Sequence, residues 1–567
     1  MKQTSQRLPE VQHALELVGA GRLRLNGTKP VRRPGPHQIL ARVEATGLCF
    51  SDLKLLRQFS DHARKSEVVG GISKEVLAEI PSYVPGDKPT VPGHETVCRI
   101  VAVGDKVTRH KPGERCLVQT DYRALRTASS NAAFGYNFEG GLQEYVLMDE
   151  RVVIDPETDR RYLIPVDDRL SAAALCLVEP WACVEDSYVS IERRTLKAGG
   201  RTLVVAEAGH GIVGLAESCS PDGKPVALSA VCADDAQRHV LRSLGVPVSE
   251  MRSVEEVPEQ AFDDVICFGA RRETLDLLND RLSARGIVNV VTGGRKLSGP
   301  VAVGIGRMHY GACRWVGTMT DSAADSYRVI PSTGEIRPGE KIMVLGAGGP
   351  MGQMHVIRLI CSGVPGISVV AADLEESRLE SLRAKTQGLA AARGVPLRIL
   401  HPQEEPSQES FSYFVLTAPV PSLAADAVKR SLDGALINIF AGIPAHTKQE
   451  LDLDTYITRQ CFLFGTSGSV IRDMEIVLEK IERGRLDTSR SVDAVSGMAG
   501  CVEGLAAVEQ RTVAGKIIVY PQLHELGLVR LSEMGRRLPS VARKLESGRW
   551  SKAAEEELLA VTARKGS

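Results

Sequence analysis

Residues 341–352 read KIMVLGAGGPMG, an apolar strand that runs into a glycine-rich turn and then a helix. The next apolar run, ISVVAAD, ends at Asp373, which lies 373 − 352 = 21 residues after Gly352. This spacing is typical of a doubly wound dinucleotide-binding fold, in which glycines let the backbone approach a pyrophosphate at a helix N-terminus. The carboxylate of Asp373 can accept both ribose hydroxyls and would repel a 2′-phosphate, so the pattern predicts NAD.

The turn departs from the usual GxGxxG spacing, because Met351 stands where the third glycine belongs and the loop reads GxGGxxG. A glycine turn alone is a weak signal, and a βαβ unit without a ligand would show the same pattern. The predicted cofactor-binding residues lie in this turn, at the carboxylate after the next strand, and after the strand FSYFVL. They are Gly346, Gly348, Gly349, Pro350, Met351, Gly352, Asp373, Thr417 and Ala418.

An internal repeat precedes this stretch. The strand-like RTLVVA at 201–206 is followed at 209–214 by GHGIVG, a formal GxGxxG, and then by further apolar runs with helical stretches between them. These runs predict a complete βαβ set. Both copies end alike, in CRWVGT and CFLFGT, at an offset of 465 − 317 = 148 residues. The chain therefore predicts two tandem Rossmann domains, at 196–330 and 336–484.

The two copies differ where a nucleotide would be bound. Cys232 aligns with Asp373, so the first copy lacks the ribose carboxylate unless Asp234 or Asp235 substitutes for it. Glu207 in its first turn would repel a pyrophosphate if it pointed inward. We expect the second copy to bind NAD and the first to be degenerate and structural. Pairing of the CRWVGT and CFLFGT edges would form an internal pseudo-dimer, in a chain that is a monomer or a homodimer.

Composition sets broad limits on the function. The 567 residues carry 70 basic and 70 acidic side chains, so the formal net charge gives no support to nucleic-acid or membrane-surface binding. The N-terminus lacks the apolar core of a signal peptide, so we expect none. The sequence contains no run of about 20 apolar residues, so we expect no membrane span. The 12 scattered cysteines resemble buried thiols of a reducing compartment, which favours a cytoplasmic location.

The N-terminal third predicts short strands of a small barrel or sandwich, because apolar residues alternate in QILARVEATGL and in the runs after it. Cys49, the pair His94 and Glu95, and Glu179 supply a thiol, an imidazole and carboxylates. These are the ligand types of zinc in an open catalytic site. Each residue taken alone is better explained without a metal: Cys49 as a buried thiol, His94 as a turn histidine and Glu179 as a carboxylate at the start of a helix.

The order of these motifs resembles that of the zinc-dependent medium-chain dehydrogenases. The matching segments are GLCFSD, VPGHE, VAVGDKV, KPGERC, GGLQEYV and EPWACV. The glycine turn LGAGGPMGQMH is similar to that of the branch containing sorbitol dehydrogenase and L-sorbose-1-phosphate reductase. The resemblance covers most of residues 38–520. It implies an α/β protein with a GroES-like, β-rich catalytic domain joined to Rossmann domains.

The resemblance also implies roles for single residues. Cys49, His94 and Glu95 match the zinc-site positions, and Glu179 matches a carboxylate at or beside the metal. Ser51 matches the hydroxyl that relays the alcohol proton, and Asp52 matches the carboxylate that orients the zinc histidine. Zinc would acidify the alcohol, hydride would pass to the nicotinamide, and the proton would leave through Ser51.

Two features depart from the family pattern. Cys49 and His94 are 94 − 49 = 45 residues apart, and residues 57–85 look like an insertion that contains His62 and a short helix, SKEVLAEI. This insertion is either a surface excursion or a lid over the substrate pocket. Residues 117–148 contain no cysteine, so we expect one catalytic zinc and no structural zinc.

The zinc domain is predicted to comprise residues 1–190 and to be completed by residues 485–520. Residues 521–567 are predicted to form a helical extension that packs on the body of the protein. The leading functional hypothesis is a zinc-dependent NAD oxidoreductase acting on a secondary hydroxyl of a polyol, sugar or sugar phosphate. The alternatives are a threonine-like amino-alcohol dehydrogenase and a non-catalytic sensor of nucleotide or metabolite.

Overall fold

The computed structural model describes residues 8–405 and 408–565. It divides into two compact units: the first combines Met1–Glu185 with Gly468–Ser567, and the second is Asp186–Ser467. Among the described residues, no helix combines the length and the apolar character needed to cross a bilayer.

The strands are numbered in chain order. They are β1 (Val11–Gly19), β2 (Arg22–Pro30), β3 (Gln38–Leu48), β4 (Val68–Gly70), β5 (Glu95–Val103), β6 (Arg115–Val118), β7 (Asp121–Thr127), β8 (Asn131–Ala133), β9 (Tyr145–Asp149), β10 (Leu163–Pro165), β11 (Arg201–Ala206), β12 (Ala227–Cys232), β13 (Val248–Glu250), β14 (Phe262–Phe268), β15 (Leu282–Val291), β16 (Val301–Val303), β17 (Arg314–Thr318), β18 (Lys341–Leu345), β19 (Ser368–Ala372), β20 (Leu397–Leu400), β21 (Phe411–Leu416), β22 (Ser431–Ile439), β23 (Gln449–Leu451), β24 (Phe462–Phe464), β25 (Val492–Ser496), β26 (Lys516–Val519) and β27 (Val529–Arg530).

The α-helices are numbered in the same way. They are α1 (Phe50–Gln58), α2 (Lys74–Ala78), α3 (Ala172–Cys176), α4 (Val178–Val189), α5 (Asp235–Ser243), α6 (Arg272–Arg281), α7 (Gly306–Tyr310), α8 (Ala323–Arg328), α9 (Pro350–Cys361), α10 (Glu376–Arg393), α11 (Ser422–Lys429), α12 (Leu453–Thr458), α13 (Ile471–Glu482), α14 (Cys501–Glu509), α15 (Met534–Arg537), α16 (Pro539–Ala542) and α17 (Lys552–Lys565).

The first unit is built around a mixed sheet in the order β10-β6-β5-β3-β26-β25-β27, with β9 also paired to β3. Strand β3 is almost entirely buried, and its apolar side chains fill the centre of this unit. β26 pairs antiparallel with β3, so that Ile517 faces Leu48. The sheet is therefore assembled from two segments that are remote in sequence.

Residues 57–85 hold α2, two short 3-10 turns and the strand β4, which pairs with β7. Lys65 lies buried in this segment and donates hydrogen bonds to the carbonyl oxygens of Val84 and Lys88. Burial, together with the neighbouring charge of Lys88, lowers the pKa of Lys65 to about 7. Lys65 thus ties the insertion to the backbone at its own C-terminal end and just beyond it.

The C-terminal segment packs on the first unit through a buried carboxylate. Glu555 of α17 accepts hydrogen bonds from the backbone N–H groups of Ala172 and Ala173, at 2.7 and 2.8 Å, and from the hydroxyl of Tyr520. An acceptor at this position satisfies N–H groups that the first turn of α3 leaves without helical partners. The segment also adds the short strand β27 to the sheet, which the helical pattern did not predict.

The second unit contains two parallel six-stranded sheets. Their orders are β13-β12-β11-β14-β15-β17 and β20-β19-β18-β21-β22-β24. Each has the 3-2-1-4-5-6 arrangement of the doubly wound Rossmann fold. A single apolar core includes buried residues from both sheets, among them Val290, Trp315, Phe414 and Leu463.

The first sheet departs from the predicted complete βαβ set. Residues between β11 and β12 form turns, with no α-helix, whereas α9 connects β18 to β19. The sequence of this crossover gives the reason. Gly209 and Gly214 both adopt positive φ angles, of 78° and 76°, and Pro221 follows in the segment SCSPDGKP. Glycine and proline both disfavour a helix interior.

A short antiparallel ladder joins the two halves of the second unit. β16 pairs with β23 so that Val301 faces Leu451, Ala302 faces Glu450 and Val303 faces Gln449. The predicted pairing of the CRWVGT and CFLFGT edges is wrong: within the described part of the chain, β17 and β24 form no ladder with each other and are linked by side chains instead. The hydroxyl of Tyr456 donates to the Trp315 carbonyl at 2.7 Å, and Arg314 donates to the Gly465 carbonyl at 3.1 Å.

Candidate active site and nucleotide turn

The fold brings Cys49, His94 and Glu95 together through the pairing of β3 with β5. Gly47 of β3 faces Glu95 of β5, and Cys49 follows two residues later as the N-cap of α1. The thiol, imidazole and carboxylate ligand atoms all lie within 4.8 Å of one another. Three candidate ligands predicted from sequence therefore form one cluster.

Asp52 and Ser51 arrange this cluster from the first turn of α1. Asp52 Oδ1 lies 3.2 Å from His94 Nδ1, and its other oxygen accepts the backbone N–H of Cys49 at 3.0 Å. This contact turns His94 Nε2 towards Ser51, whose Oγ lies 3.1 Å from that nitrogen. The same hydroxyl donates to Cys49 Sγ at 3.1 Å. Ser51 therefore contacts two of the three candidate ligands.

Glu95 has a partner that the sequence analysis missed. Lys516 of β26 donates to Glu95 Oε1 at 2.5 Å, and both side chains are buried. Burial opposes the charge on Lys516, but the Glu95 carboxylate outweighs it and raises the lysine pKa. A lone lysine at the start of the apolar strand KIIV was the available signal, because a buried lysine requires an anionic partner.

The second carboxylate oxygen of Glu95 supports a cation at this position. Glu95 Oε2 is buried and has no hydrogen-bond partner in the structure. An unpaired buried anionic oxygen is costly unless a cation is present. A thiolate, an imidazole and a carboxylate are also the donor types that zinc prefers. The residues present therefore fit a zinc ion.

Glu179 lies outside the three-residue cluster. It is buried in the first turn of α4, and Cys183 Sγ donates to its Oε1 at 3.8 Å. Burial raises the pKa of Glu179 to about 7, with the neighbouring charges of His94 and Glu95 acting in opposite directions. The structure thus places Glu179 in the electrostatic field of the cluster, and not among the mutually close ligand atoms.

Aromatic and cationic side chains surround the imidazole. Burial alone would lower the pKa of His94, but Tyr136 and Asp52 outweigh it, so the pKa lies well above its ordinary value. The Tyr136 ring centroid lies 5.7 Å from that of His94 and 5.0 Å from that of His62. Arg64 lies over the same tyrosine ring and pairs with Asp121 at 2.7 Å. The insertion therefore contributes His62 and Arg64 to the wall beside His94.

In the second Rossmann copy, the glycine turn has the geometry of a nucleotide-binding loop. Gly346 follows β18 and has a φ of 82°, Gly349 is the N-cap of α9, and Pro350 occupies the first turn of that helix. A Cβ on Gly352 would lie 2.2 Å from the Gly346 carbonyl oxygen, so helix and turn approach too closely for a side chain. Met351 follows Pro350 in α9, where the predicted motif would carry glycine.

Asp373 and Thr417 hold this turn from the neighbouring strands. Asp373 Oδ2 accepts the backbone N–H of Gly348 at 2.9 Å. Thr417 Oγ1 donates to the Gly346 carbonyl at 2.9 Å, and a Cβ on Gly346 would lie 2.8 Å from the backbone nitrogen of Ala418. The predicted cofactor residues are thus gathered at the carboxyl ends of β18, β19 and β21, where ligands of open α/β sheets bind.

In the first copy, the acid of the corresponding turn, Glu207, is bonded to the segment that follows β14. The carboxylate of Glu207 accepts the backbone N–H groups of Ala270 and Arg271, at 3.1 and 3.3 Å, and lies 3.2 Å from the Arg271 guanidinium. Val205 pairs with Val231 as Leu345 pairs with Ala372. The next residue is Cys232 in the first copy and Asp373 in the second, so Cys232 takes the position of the carboxylate. A cleft of about 640 Å³ opens beside these residues.

Comparisons with known proteins agree with this architecture. The family described as the alcohol dehydrogenase GroES-like domain matches residues 35–157. Sorbitol dehydrogenase 2 of Saccharomyces cerevisiae is 29% identical over 180 residues, which are 32% of this chain and 43% of that protein. D-altritol 5-dehydrogenase of Agrobacterium fabrum is 30% identical over 143 residues, covering 24% of this chain and 35% of that protein. The chain thus matches less than half the length of either relative.

A solved structure extends the likeness in fold. The crystal structure of 2R,3R-butanediol dehydrogenase from Bacillus subtilis aligns with 90% of this chain and 99% of its own, at 14% identity and a TM-score of 0.50. At this identity the likeness concerns the fold alone. It agrees with the predicted combination of a GroES-like domain and Rossmann folds. The GroES-like family match and the sorbitol dehydrogenase relatives support the predicted resemblance to the medium-chain dehydrogenase/reductase family.

Proposed function

We propose that this protein is a zinc-dependent oxidoreductase that transfers hydride between NAD and a secondary hydroxyl of a polyol, sugar or sugar phosphate. The observation that carries the proposal is the buried cluster of Cys49, His94 and Glu95, with an unpartnered carboxylate oxygen and the Ser51 hydroxyl beside it. A purely structural cluster would not need a hydroxyl in contact with both a thiol and an imidazole. The oxidoreductase relatives support the same class of reaction.

Cys49, His94 and Glu95 would hold the zinc. Glu179 interacts electrostatically with His94 and Glu95, so its charge would influence the ion. When bound, zinc supplies Lewis acidity, which lowers the pKa of a substrate hydroxyl. Ser51 would relay the proton that such a hydroxyl loses: its Oγ, which lies beside Cys49 and His94, would accept that proton while its own hydroxyl proton passes on to solvent. Asp52 keeps the His94 ring oriented through Nδ1, and Lys516 holds Glu95 by one oxygen.

The second Rossmann copy would bind the NAD. Its turn leaves the N-terminus of α9 available for the pyrophosphate, and Asp373 provides the carboxylate that accepts ribose hydroxyls. The same carboxylate would repel the 2′-phosphate of NADP. In the first copy the glycine turn leads into no helix, Glu207 is bonded to the N–H groups that follow β14, and Cys232 stands in place of the carboxylate.

We also infer that the two sheets derive from one duplicated domain and form an internal pseudo-dimer. At the repeat offset of 148 residues, Ala302 corresponds to Glu450, and these two residues face each other in the ladder. At the same offset Leu451 corresponds to Val303, and Leu451 faces Val301. Gln449 corresponds to Val301, and Gln449 faces Val303. Such self-complementary pairing is the mark of a two-fold interface. The shared apolar core supports the same arrangement.

The experiment combines NAD calorimetry with a turnover screen on polyols, sugars and sugar phosphates, using zinc-loaded full-length protein. We expect one NAD site per chain, weaker binding of NADP, and oxidation of at least one secondary alcohol. Cys49→Ala should abolish turnover and leave NAD binding unchanged, while Cys232→Ala, the matched cysteine change in the first copy, should leave both intact.

Other outcomes would point to the alternatives. Turnover on an amino alcohol, with none on polyols, would favour the threonine-like dehydrogenase. NAD binding without turnover on any alcohol would favour a sensor. Failure of both NAD and NADP to bind would contradict the dehydrogenase proposal itself.

A further inference from the structure

A second group of metal-ligating side chains lies in the first unit, apart from the cluster around Cys49. His13 of β1, Glu144 just before β9 and His524 of the C-terminal segment have ligand atoms that all lie within 4.8 Å of one another. His524 Nε2 lies 2.8 Å from Glu144 Oε1, and His13 Nδ1 lies 3.4 Å from Glu144 Oε2. The two imidazole centroids are 3.9 Å apart.

We propose that His13, Glu144 and His524 bind a divalent transition-metal ion, with zinc as the best match, at a site separate from the proposed catalytic one. Two imidazoles and a carboxylate are an established donor set for zinc. Around a tetrahedral zinc, bond lengths of about 2.0–2.2 Å place ligand atoms roughly 3.3 Å apart. The observed separations of 2.8 and 3.4 Å already bracket this value.

The backbone around all three residues is fixed. The N–H of His13 donates to Glu144 Oε2 at 2.7 Å, and the N–H of Glu144 donates to the His13 carbonyl at 3.3 Å. The N–H of Ala499 donates to the His524 carbonyl at 3.0 Å. Because the backbone at the three residues is held by hydrogen bonds, only side-chain rotations are needed for their ligand atoms to converge on one ion. This lowers the conformational entropy lost when the ion binds.

The orientation of the His13 ring favours Nδ1 as the atom that binds the metal. A Cβ added to Gly27 would lie 3.2 Å from His13 Nε2, so the far edge of the ring packs against β2. Nδ1 faces the carboxylate and the second imidazole. The side chains of His13 and His524 are 34% and 41% exposed, so an ion could enter from solvent and keep a water as a further ligand.

A hydrogen-bonded triad without metal explains the cluster less completely. Glu144 Oε1 has a 2.8 Å hydrogen bond to His524, but the 3.4 Å separation between His13 Nδ1 and Glu144 Oε2 is long for a hydrogen bond and leaves the second imidazole unexplained. A divalent cation uses the lone pairs of two neutral imidazoles together with the carboxylate charge. Because the three residues are remote in sequence, the bound ion would clamp β1 to the segment that follows β26.

The test is zinc titration of the metal-free full-length protein, read by calorimetry and by the melting temperature. We expect two classes of zinc site, one abolished by Cys49→Ala and the other retained in that variant. His524→Gln and Glu144→Gln should each weaken the second class at least tenfold and remove the zinc-dependent rise in melting temperature associated with it. His446→Gln, an exposed histidine of the second unit, is the matched control and should change neither class.

Cobalt(II) substitution gives a second readout. Visible absorption bands from Co²⁺ at an imidazole and carboxylate site should persist in Cys49→Ala and disappear in His524→Gln. Both glutamine variants should melt like the parent protein when metal is absent, which separates loss of binding from loss of folding. Zinc stoichiometry unchanged in both variants, or a single zinc class that Cys49→Ala removes, would overturn the proposal without affecting the proposed function.

Discussion

The two Rossmann sheets share one strand order but differ at the turn that follows their first strand. In the second sheet, Gly346 and Gly349 lead into α9, and Asp373 bonds to the turn. In the first sheet the connection has no helix, and Glu207 satisfies the N–H groups of Ala270 and Arg271. Both sheets nevertheless contribute buried residues to one apolar core, so the strand order of the first sheet does not depend on a glycine turn that leads into a helix.

The largest difference between the two copies is expected when a methyl group is added to each glycine turn. Gly352→Ala places a Cβ 2.2 Å from a backbone oxygen, and we expect NAD affinity to fall by roughly 100-fold or more. In Gly211→Ala the nearest atom, Val213 Cγ2, is 3.8 Å away, so NAD affinity should be unchanged. Calorimetric titration measures both, with circular dichroism as the folding control. An equal loss in the two variants would mean that both turns bind NAD.

The carboxylate distinguishes the copies in a second way. Asp373→Ala removes an acceptor for the ribose hydroxyls and for the Gly348 N–H, and a charged hydrogen bond contributes about 1.5–3 kcal/mol. We therefore expect NAD affinity to fall roughly 10- to 100-fold and the preference over NADP to shrink. Cys232→Ala, at the equivalent register position, should have no effect. Titrations of both nucleotides into both variants would detect a working first copy.

Side-chain links between the copies can be weakened without touching either turn. The Tyr456 hydroxyl donates to the Trp315 carbonyl and accepts the N–H of Leu463 at 3.0 Å, all in the buried core. Tyr456→Phe leaves both backbone groups without this partner and should lower the free energy of unfolding by about 1–3 kcal/mol. Urea denaturation measures the change, with Tyr145→Phe in the first unit as the control. No loss of stability would argue against a pseudo-dimer held by this contact.

The smallest expected difference is one of pH. Burial, with Arg295 adding, lowers the pKa of His210 in the first turn below its ordinary value of about 6.5. The unfolded state then binds the proton more readily, so stability is lost as the pH falls below about 6.5 and is retained above it. The turn at 346–349, GAGG, contains no titratable side chain. The hydrogen-exchange protection factors of the first turn, which are corrected for the intrinsic pH dependence of exchange, should be lower at pH 5.5 than at pH 7.5. His210→Gln should remove most of that difference.

Much of the architecture was predictable because it depends on local patterns. Strand-like runs and glycine turns predicted parallel sheets, and short motifs around Cys49 and His94 predicted residues that β3 and β5 then bring together. The order of strands remote in sequence was not readable in this way. Lys516 was missed because its role depends on β26 pairing with β3, and His524 because its partners lie in β1 and before β9.

The missing helix of the first copy shows a different limit. A formal GxGxxG favours a turn followed by a helix, but the sequence after it carries Pro221 and Gly223 among small polar residues. These residues disfavour a helix and favour turns, so the helix that the motif predicts does not form. The assignment of NAD to the second copy, the domain boundaries and the roles of single site residues remain predictions for the experiments above.

The ladder between β16 and β23 has a consequence for behaviour in dilute solution. In an ordinary two-fold dimer, such pairing weakens as the subunits are diluted, because association is bimolecular. Here both strands belong to one polypeptide, and the connecting chain gives them a fixed effective concentration for each other. The pairing is therefore independent of the amount of protein present, and a substitution in one half is never repeated by symmetry in the other.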